Sequence, residues 1–192
     1  MKILWRNMTT TIYFIRHAEP NYNNHDDILR ELTEKGIDSS QKFVYQFSSV
    51  AIDKFYSSPY KRSIDTIRPL ADSKNKQIII IEELRERKLS DGWIDNFNEV
   101  ARKQWEDFSY KLENGESLRE VQQRNIKALN AILENTSSDE TIVIGTHGTA
   151  LSTIINYYQQ DFKFEMFNNF KHEFPWIVKA EFKGNELIKI TY

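Results

Sequence analysis

The chain contains no cysteine. That excludes disulfides, zinc–thiolate sites and thiol nucleophiles, and it removes any sign of an oxidising compartment. A strong bias to one sign of charge is also missing. The 26 Lys and Arg nearly balance the 28 Asp and Glu, and a net charge of −2 argues against a general nucleic-acid binder. Long apolar runs are absent as well. Ile3-Leu4-Trp5 is far too short for a signal-peptide core or a membrane span, so a cytoplasmic protein with no membrane partner is expected. Met8 reads as an alternative start, with residues 1–7 a dispensable extension. There is no internal repeat and no low-complexity tract. What is present is an ordinary soluble composition, 40% hydrophobic and 28% charged, over 192 residues. That length suits a single domain spanning 1–192, with an inserted lid at most.

Strand and helix patterns alternate along the chain. Thr11–Ile15 is a β-branched and aromatic run of the kind that forms a buried strand. Leu32-Thr33-Glu34-Lys35-Gly36 opens a helix, with Thr33 as its cap and Phe43, Val44 and Phe47 on its apolar face. Ile52–Tyr56 is a second strand. Ser58-Pro59 then starts a helix, Ser58 capping it and Pro59 in its first position. Gln77–Ile81, with four consecutive isoleucines, reads as a third strand covered on both faces. The charged stretch 82–114 is less regular but carries Trp93, Phe97, Trp105, Phe108 and Tyr110, which read as a small packed lid over 87–114. Contact with an apolar part of a substrate is the alternative reading. Ser117-Leu118-Arg119-Glu120 is a capping box, followed by Leu118, Val121, Leu129 and Ile132 on one helical face. Thr141–Gly145 is a fourth strand, and Leu151, Ile154, Ile155 and Tyr158 continue as a helix. Trp176–Phe182 and Leu187–Tyr192 flank the turn signal Lys183-Gly184-Asn185-Glu186. The expected fold is therefore α/β, a three-layer α/β/α sandwich with a mostly parallel central sheet and an antiparallel C-terminal element.

In open α/β sheets, ligands bind just beyond the carboxyl ends of the strands. Arg16 and His17 follow the first strand, and His147 and Gly148 follow the fourth. Arg62 falls in the first turn of the helix after the second strand, where a cation opposes the helix dipole unless an anion lies over that end. Glu86 follows the third. Two guanidiniums can grip a phosphoryl group, and the N–H groups of the helix opening at Gly148 can point at the same anion. Neighbouring arginines disfavour imidazolium, so His17 should stay neutral and able to attack phosphorus. Glu86, chosen over nearby Glu82 and Glu83, would protonate the leaving oxygen and later activate water. Because the arginines and His147 stabilise the charge, no metal and no cofactor are called for.

These residues lie within a set of ordered motifs. Arg16-His17-Ala18-Glu19-Pro20-Asn21-Tyr22-Asn23 is followed by Leu32-Thr33-Glu34-Lys35-Gly36 and Ser57-Ser58-Pro59-Tyr60-Lys61-Arg62-Ser63. Leu84-Arg85-Glu86, Gly115-Glu116-Ser117 and Thr146-His147-Gly148 complete the set. Order and spacing together resemble the histidine phosphatase superfamily, the phosphoglycerate mutase-like family, from Ile12 to roughly Thr153. Ala18 and Pro20 stand where that family's opening signature has Gly and Thr. The Arg87–Trp93 segment is only similar to the family's pattern there. The resemblance implies that His17 carries the phosphoryl group and that Arg16, Arg62 and His147 bind it. It implies further that Glu86 donates the proton and that Asn23 contacts phosphate or substrate. The short chain favours a phosphatase acting on a small phosphorylated metabolite or a phosphoprotein. A mutase-type phosphotransferase and a non-catalytic phospho-ligand binding module are the rivals. Oligomeric state is not legible in the sequence.

Overall fold

The computed structural model describes residues 9–137 and 139–192. The expectations about residues 1–7 and Met8 lie outside them. Six strands form one sheet in the order β3-β2-β4-β1-β5-β6. The strands are β1 (Thr10–Arg16), β2 (Lys54–Ser57), β3 (Ile78–Ile80), β4 (Thr141–Thr146), β5 (Trp176–Lys183) and β6 (Glu186–Thr191). The first four run parallel, whereas β5 pairs antiparallel with β1 and β6 antiparallel with β5. The last hairpin turns at Gly184, whose φ of 58° lies where glycine is favoured. Among the described residues, no helix is long and apolar enough to cross a membrane.

Side-chain alternation along the strands builds the layers. Ile12 and Phe14 of β1, Tyr56 of β2 and Ile142 and Ile144 of β4 face one core. Ile15, Phe55 and Val143, the intervening residues, face the other. The second core is closed by α1 (Glu34–Gln46) and α2 (Lys61–Ser73), through Phe43, Ile67, Leu70 and Ala71. The first is closed by α3 (Phe97–Glu106), α4 (Leu118–Glu134), α5 (Gly148–Tyr158) and α6 (Phe164–Phe170). Helices on both faces of a mostly parallel sheet make the three-layer sandwich that the alternating pattern implies. Thr33 caps α1 by accepting from the Gly36 N–H at 3.1 Å, and Ser117 and Glu120 form the capping box of α4.

Two local expectations fail. The helix after β2 starts at Lys61 rather than Pro59, and its cap residue Tyr60 offers no side-chain bond. Ser58 is engaged elsewhere, as described below. The isoleucine run forms only a short edge strand: Ile79 is 49% exposed and Ile80 46% exposed, so β3 is not covered on both faces. A run of β-branched residues specifies a strand but not its place in the sheet. In the lid segment, Trp105 of α3 packs against Phe162 and Phe167 as part of the main core.

Candidate active site

Strand register brings the two histidines together. β1 and β4 are neighbours with Arg16 opposite Thr146, so the residue after each strand is an imidazole. The His17 N–H donates to the Thr146 carbonyl at 3.0 Å, and the ring centroids of His17 and His147 are 5.4 Å apart. β2 lies on the other side of β4, with Ser57 opposite Gly145, and the Ser58 N–H donates to the Gly145 carbonyl at 3.2 Å. Gly145 has to be small: a Cβ there would meet the Ser57 and Ser63 hydroxyls at 2.9 Å.

Hydrogen bonds fix what each imidazole can do. The Nδ1–H of His17 donates to the Ala18 carbonyl at 2.8 Å, because a carbonyl can only accept. That tautomer leaves the lone pair on Nε2. Burial, with Arg62 and Arg16 adding to it, holds the ring well below its ordinary 6.5, so it stays neutral. Burial likewise keeps His147 neutral, helped by Arg62, His17 and Arg16. Its Nε2 meets the Ser58 hydroxyl at 2.6 Å, and its Nδ1 is buried without a partner among the described residues. Ser58 Oγ also accepts the Tyr60 N–H at 3.3 Å. The hydroxyl both donates and accepts, so the pair is satisfied with the ring proton on either nitrogen of His147. A buried ring nitrogen with no partner is uncommon and calls for one.

Both arginines are nearly enclosed. Arg16 donates from Nη1 to the carbonyls of Phe170 (3.0 Å) and Glu173 (3.1 Å), and Phe174 lies over its guanidinium, 3.9 Å from carbon to ring centroid. Its Nε is buried and unpartnered, and burial draws its pKa down to about 10. Arg62 donates to the Asp27 carbonyl and pairs with the Asp27 carboxylate at 3.1 Å. Burial lowers it as well, with Asp27 working in the opposite direction. Enclosed guanidiniums thus stand beside a neutral imidazole, with the Asp27 and Glu86 carboxylates close enough to act on them.

Glu86 is held by three backbone donors. The Arg87 N–H reaches Oε1 at 2.7 Å, the Thr149 N–H reaches Oε2 at 3.0 Å and the Ala150 N–H reaches Oε1 at 3.1 Å. The carboxylate therefore sits over the first turn of α5, next to His147. Its backbone is fixed in turn by Arg124 of α4. That guanidinium donates to the carbonyls of Glu83 (2.7 Å), Arg85 (2.7 Å) and Glu86 (3.1 Å). It also grips Glu116 through two bonds of 2.8 and 2.9 Å.

A family model described as "Histidine phosphatase superfamily (branch 1)" matches residues 12–190. The chain belongs to the histidine phosphatase superfamily. A 2,3-bisphosphoglycerate-dependent phosphoglycerate mutase of Thermoplasma acidophilum is 37% identical over 78 residues, which span 38% of each chain. The Phosphoserine phosphatase 1 of Hydrogenobacter thermophilus is 27% identical over 150 residues, 71% of this chain and 70% of that one. A solved mutant of the phosphoserine phosphatase of Entamoeba histolytica, in complex with phosphoserine, superposes with a TM-score of 0.75 at 23% identity. That match covers 94% of this chain and 96% of the other.

In this member of the superfamily, Arg16, His17, Arg62, Glu86 and His147 gather around one strand-end site. Gly148 joins them at the start of α5. A Cβ there would come within 3.1 Å of the Arg16 guanidinium, so its smallness makes room for that arginine. The helix N–H groups thought to face a substrate anion are in part taken already, since those of Thr149 and Ala150 serve Glu86. Asn23 is exposed on the loop after β1, where its N–H donates to Asn21 Oδ1 at 3.1 Å, and no contact ties it to the site. Sequence reasoning missed Ser58 as the partner of His147, Arg124 as the clamp on Glu86, and Phe174 over His17 and Arg16. It also missed Arg30, whose charge acts on His17. Local cap and helix signals offer no clue to any of these, because each partner lies far away in the chain or on a loop.

Proposed function

We propose that this protein is a metal-independent phosphatase that hydrolyses phosphomonoesters of small metabolites through a phosphohistidine on His17. One observation carries the reading: the Nδ1–H of His17 is committed to the Ala18 carbonyl, so Nε2 offers its lone pair beside enclosed guanidiniums. In the first step Nε2 attacks phosphorus while the bond from phosphorus to the alcohol oxygen breaks. Glu86, entering as the carboxylic acid, gives its proton to that oxygen. In the second step Glu86 takes a proton from water, whose oxygen attacks phosphorus as the P–N bond breaks. Inorganic phosphate leaves and His17 returns to its neutral form. Arg16, Arg62 and His147 bind the phosphoryl oxygens as charge builds on them. These donors supply the charge stabilisation that a metal provides in other phosphatases.

Relatives named as a phosphatase and as a mutase are both compatible with such an intermediate. The test is to load the protein with labelled phosphoryl group and chase it with water alone or with water plus phosphoglycerate. Loss to water as inorganic phosphate at the same rate in both chases is expected. Label recovered mainly on the organic acceptor would make the protein a mutase-type phosphotransferase. A panel of phosphomonoesters assayed with and without chelator should show undiminished phosphate release when metals are removed.

A further inference from the structure

Beside the site lies a third arginine that the scheme above does not use. Arg30 is 6% exposed, although it sits on the loop between β1 and α1. Its Nε donates to the Asn24 carbonyl at 2.7 Å, and its Nη1 pairs with Asp27 Oδ1 at 2.9 Å. The same Asp27 oxygen takes Arg62 Nη2 at 3.1 Å. One carboxylate oxygen thus bridges the two guanidiniums, which places Arg30 about one anion's width from Arg62. Arg30 is also among the charges that hold His17 neutral.

Two guanidiniums share one carboxylate oxygen, with Glu86 also acting on Arg62, and the Arg30 side chain is largely withdrawn from water. Burying a charge is costly unless it is paired. Arg30 Nη2 makes no hydrogen bond among the described residues. Two exposed aromatic rings flank the guanidinium. Tyr22, 49% exposed, is centred 5.6 Å from its carbon, and Trp93, 55% exposed, is centred 6.0 Å away. His25 stacks on Trp93 at 4.5 Å, tying the 22–30 loop to the lid segment. Arg30 therefore stands between Arg62 and two exposed aromatic rings. A guanidinium in that place matches a planar carboxylate, and Asp27 already demonstrates the fit.

We infer that Arg30 is the specificity-determining residue of this site and that the preferred phosphomonoester carries a carboxylate a few bonds from its phosphoryl group. The inference rests on the phosphoryl-binding reading of the site. The carboxylate is held by the free edge of Arg30 while the phosphoryl group lies between Arg62, Arg16 and the two imidazoles. Tyr22 and Trp93 wall the space between them.

A matched pair of ligands tests this: 3-phosphoglycerate and sn-glycerol 3-phosphate, which differ only in a carboxylate against a hydroxymethyl group. Binding of each is measured calorimetrically to protein blocked by His17→Ala, in the Arg30 background and with Arg30→Met and Arg30→Lys added. Turnover of both and of p-nitrophenyl phosphate is measured separately in the same backgrounds with His17 intact. With Arg30 present, the acid should bind roughly ten- to a hundredfold more tightly than its partner, the range expected for a charge-assisted pair. Arg30→Met should abolish that preference while leaving glycerol phosphate binding within about twofold, and Arg30→Lys should restore part of it. Equal binding of the two ligands with Arg30 present would overturn the inference. So would an equal loss for both on Arg30→Met, the mark of a residue that only braces its loop. Failure of the phosphatase reading shows separately, as absence of turnover on every ester while the binding preference stands.

Discussion

The floor of the site and its rim are built on different terms. The floor comprises His17, Ser58 and His147, all almost fully buried, with His17 and Ser58 anchored by backbone hydrogen bonds between adjacent strands and His147 by the first turn of α5. The rim comprises Tyr22, His25, Arg30 and Trp93, carried on loops, its aromatic faces about half open to solvent. Sheet register positions the floor to within the tolerance that bond-making needs. Loops tolerate substitution and insertion far better. The contrast teaches where to look for each property: reaction chemistry at the strand ends, ligand choice on the two segments that meet over Arg30.

Substitutions should divide along that line. The largest effect is expected from His17→Ala, which should cut turnover on the order of a thousandfold or more with the fold intact by circular dichroism. Retention of most activity would break the account of the floor. Next comes Glu86→Gln. Alkyl phosphates should slow by about a hundredfold or more, whereas p-nitrophenyl phosphate, whose phenolate leaves without help, should slow far less. Similar losses on both would show that Glu86 does not handle the leaving group's proton. Arg124→Met should follow with about a tenfold loss in kcat on alkyl phosphates and little change in KM. It too should spare p-nitrophenyl phosphate, since it acts by placing the Glu86 backbone. Free guanidinium should restore part of that loss. Replacement of Arg30, by contrast, should alter which ligand binds and not how the phosphoryl group is transferred.

The smallest effect concerns stability. His17 and His147 are both held well below 6.5 in the folded protein. Between 6.5 and their folded values, the unfolded chain binds more protons than the folded one, so these rings destabilise the fold as pH falls below 6.5 and contribute nothing above it. Tm should therefore decline by a few degrees on mild acidification, about 4–8 °C for each 1 kcal/mol lost in a small domain and less in one of this size. His17→Ala should flatten the slope below pH 6.5. Identical slopes in the two proteins would mean that the His17 ring is open to water.

Much of the floor was legible because local pattern and function coincide there. Thr11–Ile15 and Thr141–Gly145 can only be strands, and polar residues directly behind such runs have to lie at a sheet edge. The rest depended on partners that no local window contains. Ser58 looks like a helix cap because Ser followed by Pro is a cap pattern, yet its hydroxyl goes to His147, 89 residues away. Four isoleucines look like a central strand, yet β3 ends the sheet because nothing pairs beyond it among the described residues. Arg124 sits among ordinary charged helix positions, and only the folded chain shows it clamping carbonyls 38 to 41 residues earlier. Arg30 is hidden for the opposite reason. Its partners are local, but the folding of its loop over Arg62 is what gives it meaning.

The most direct test of the central claim is to quench the enzyme during turnover of a phosphomonoester and locate the phosphoryl group on the chain by mass spectrometry. A bond that survives alkali, is lost in acid and maps to the imidazole of His17 is the result expected. Steady turnover with the phosphoryl group on another residue, or on none, would contradict it.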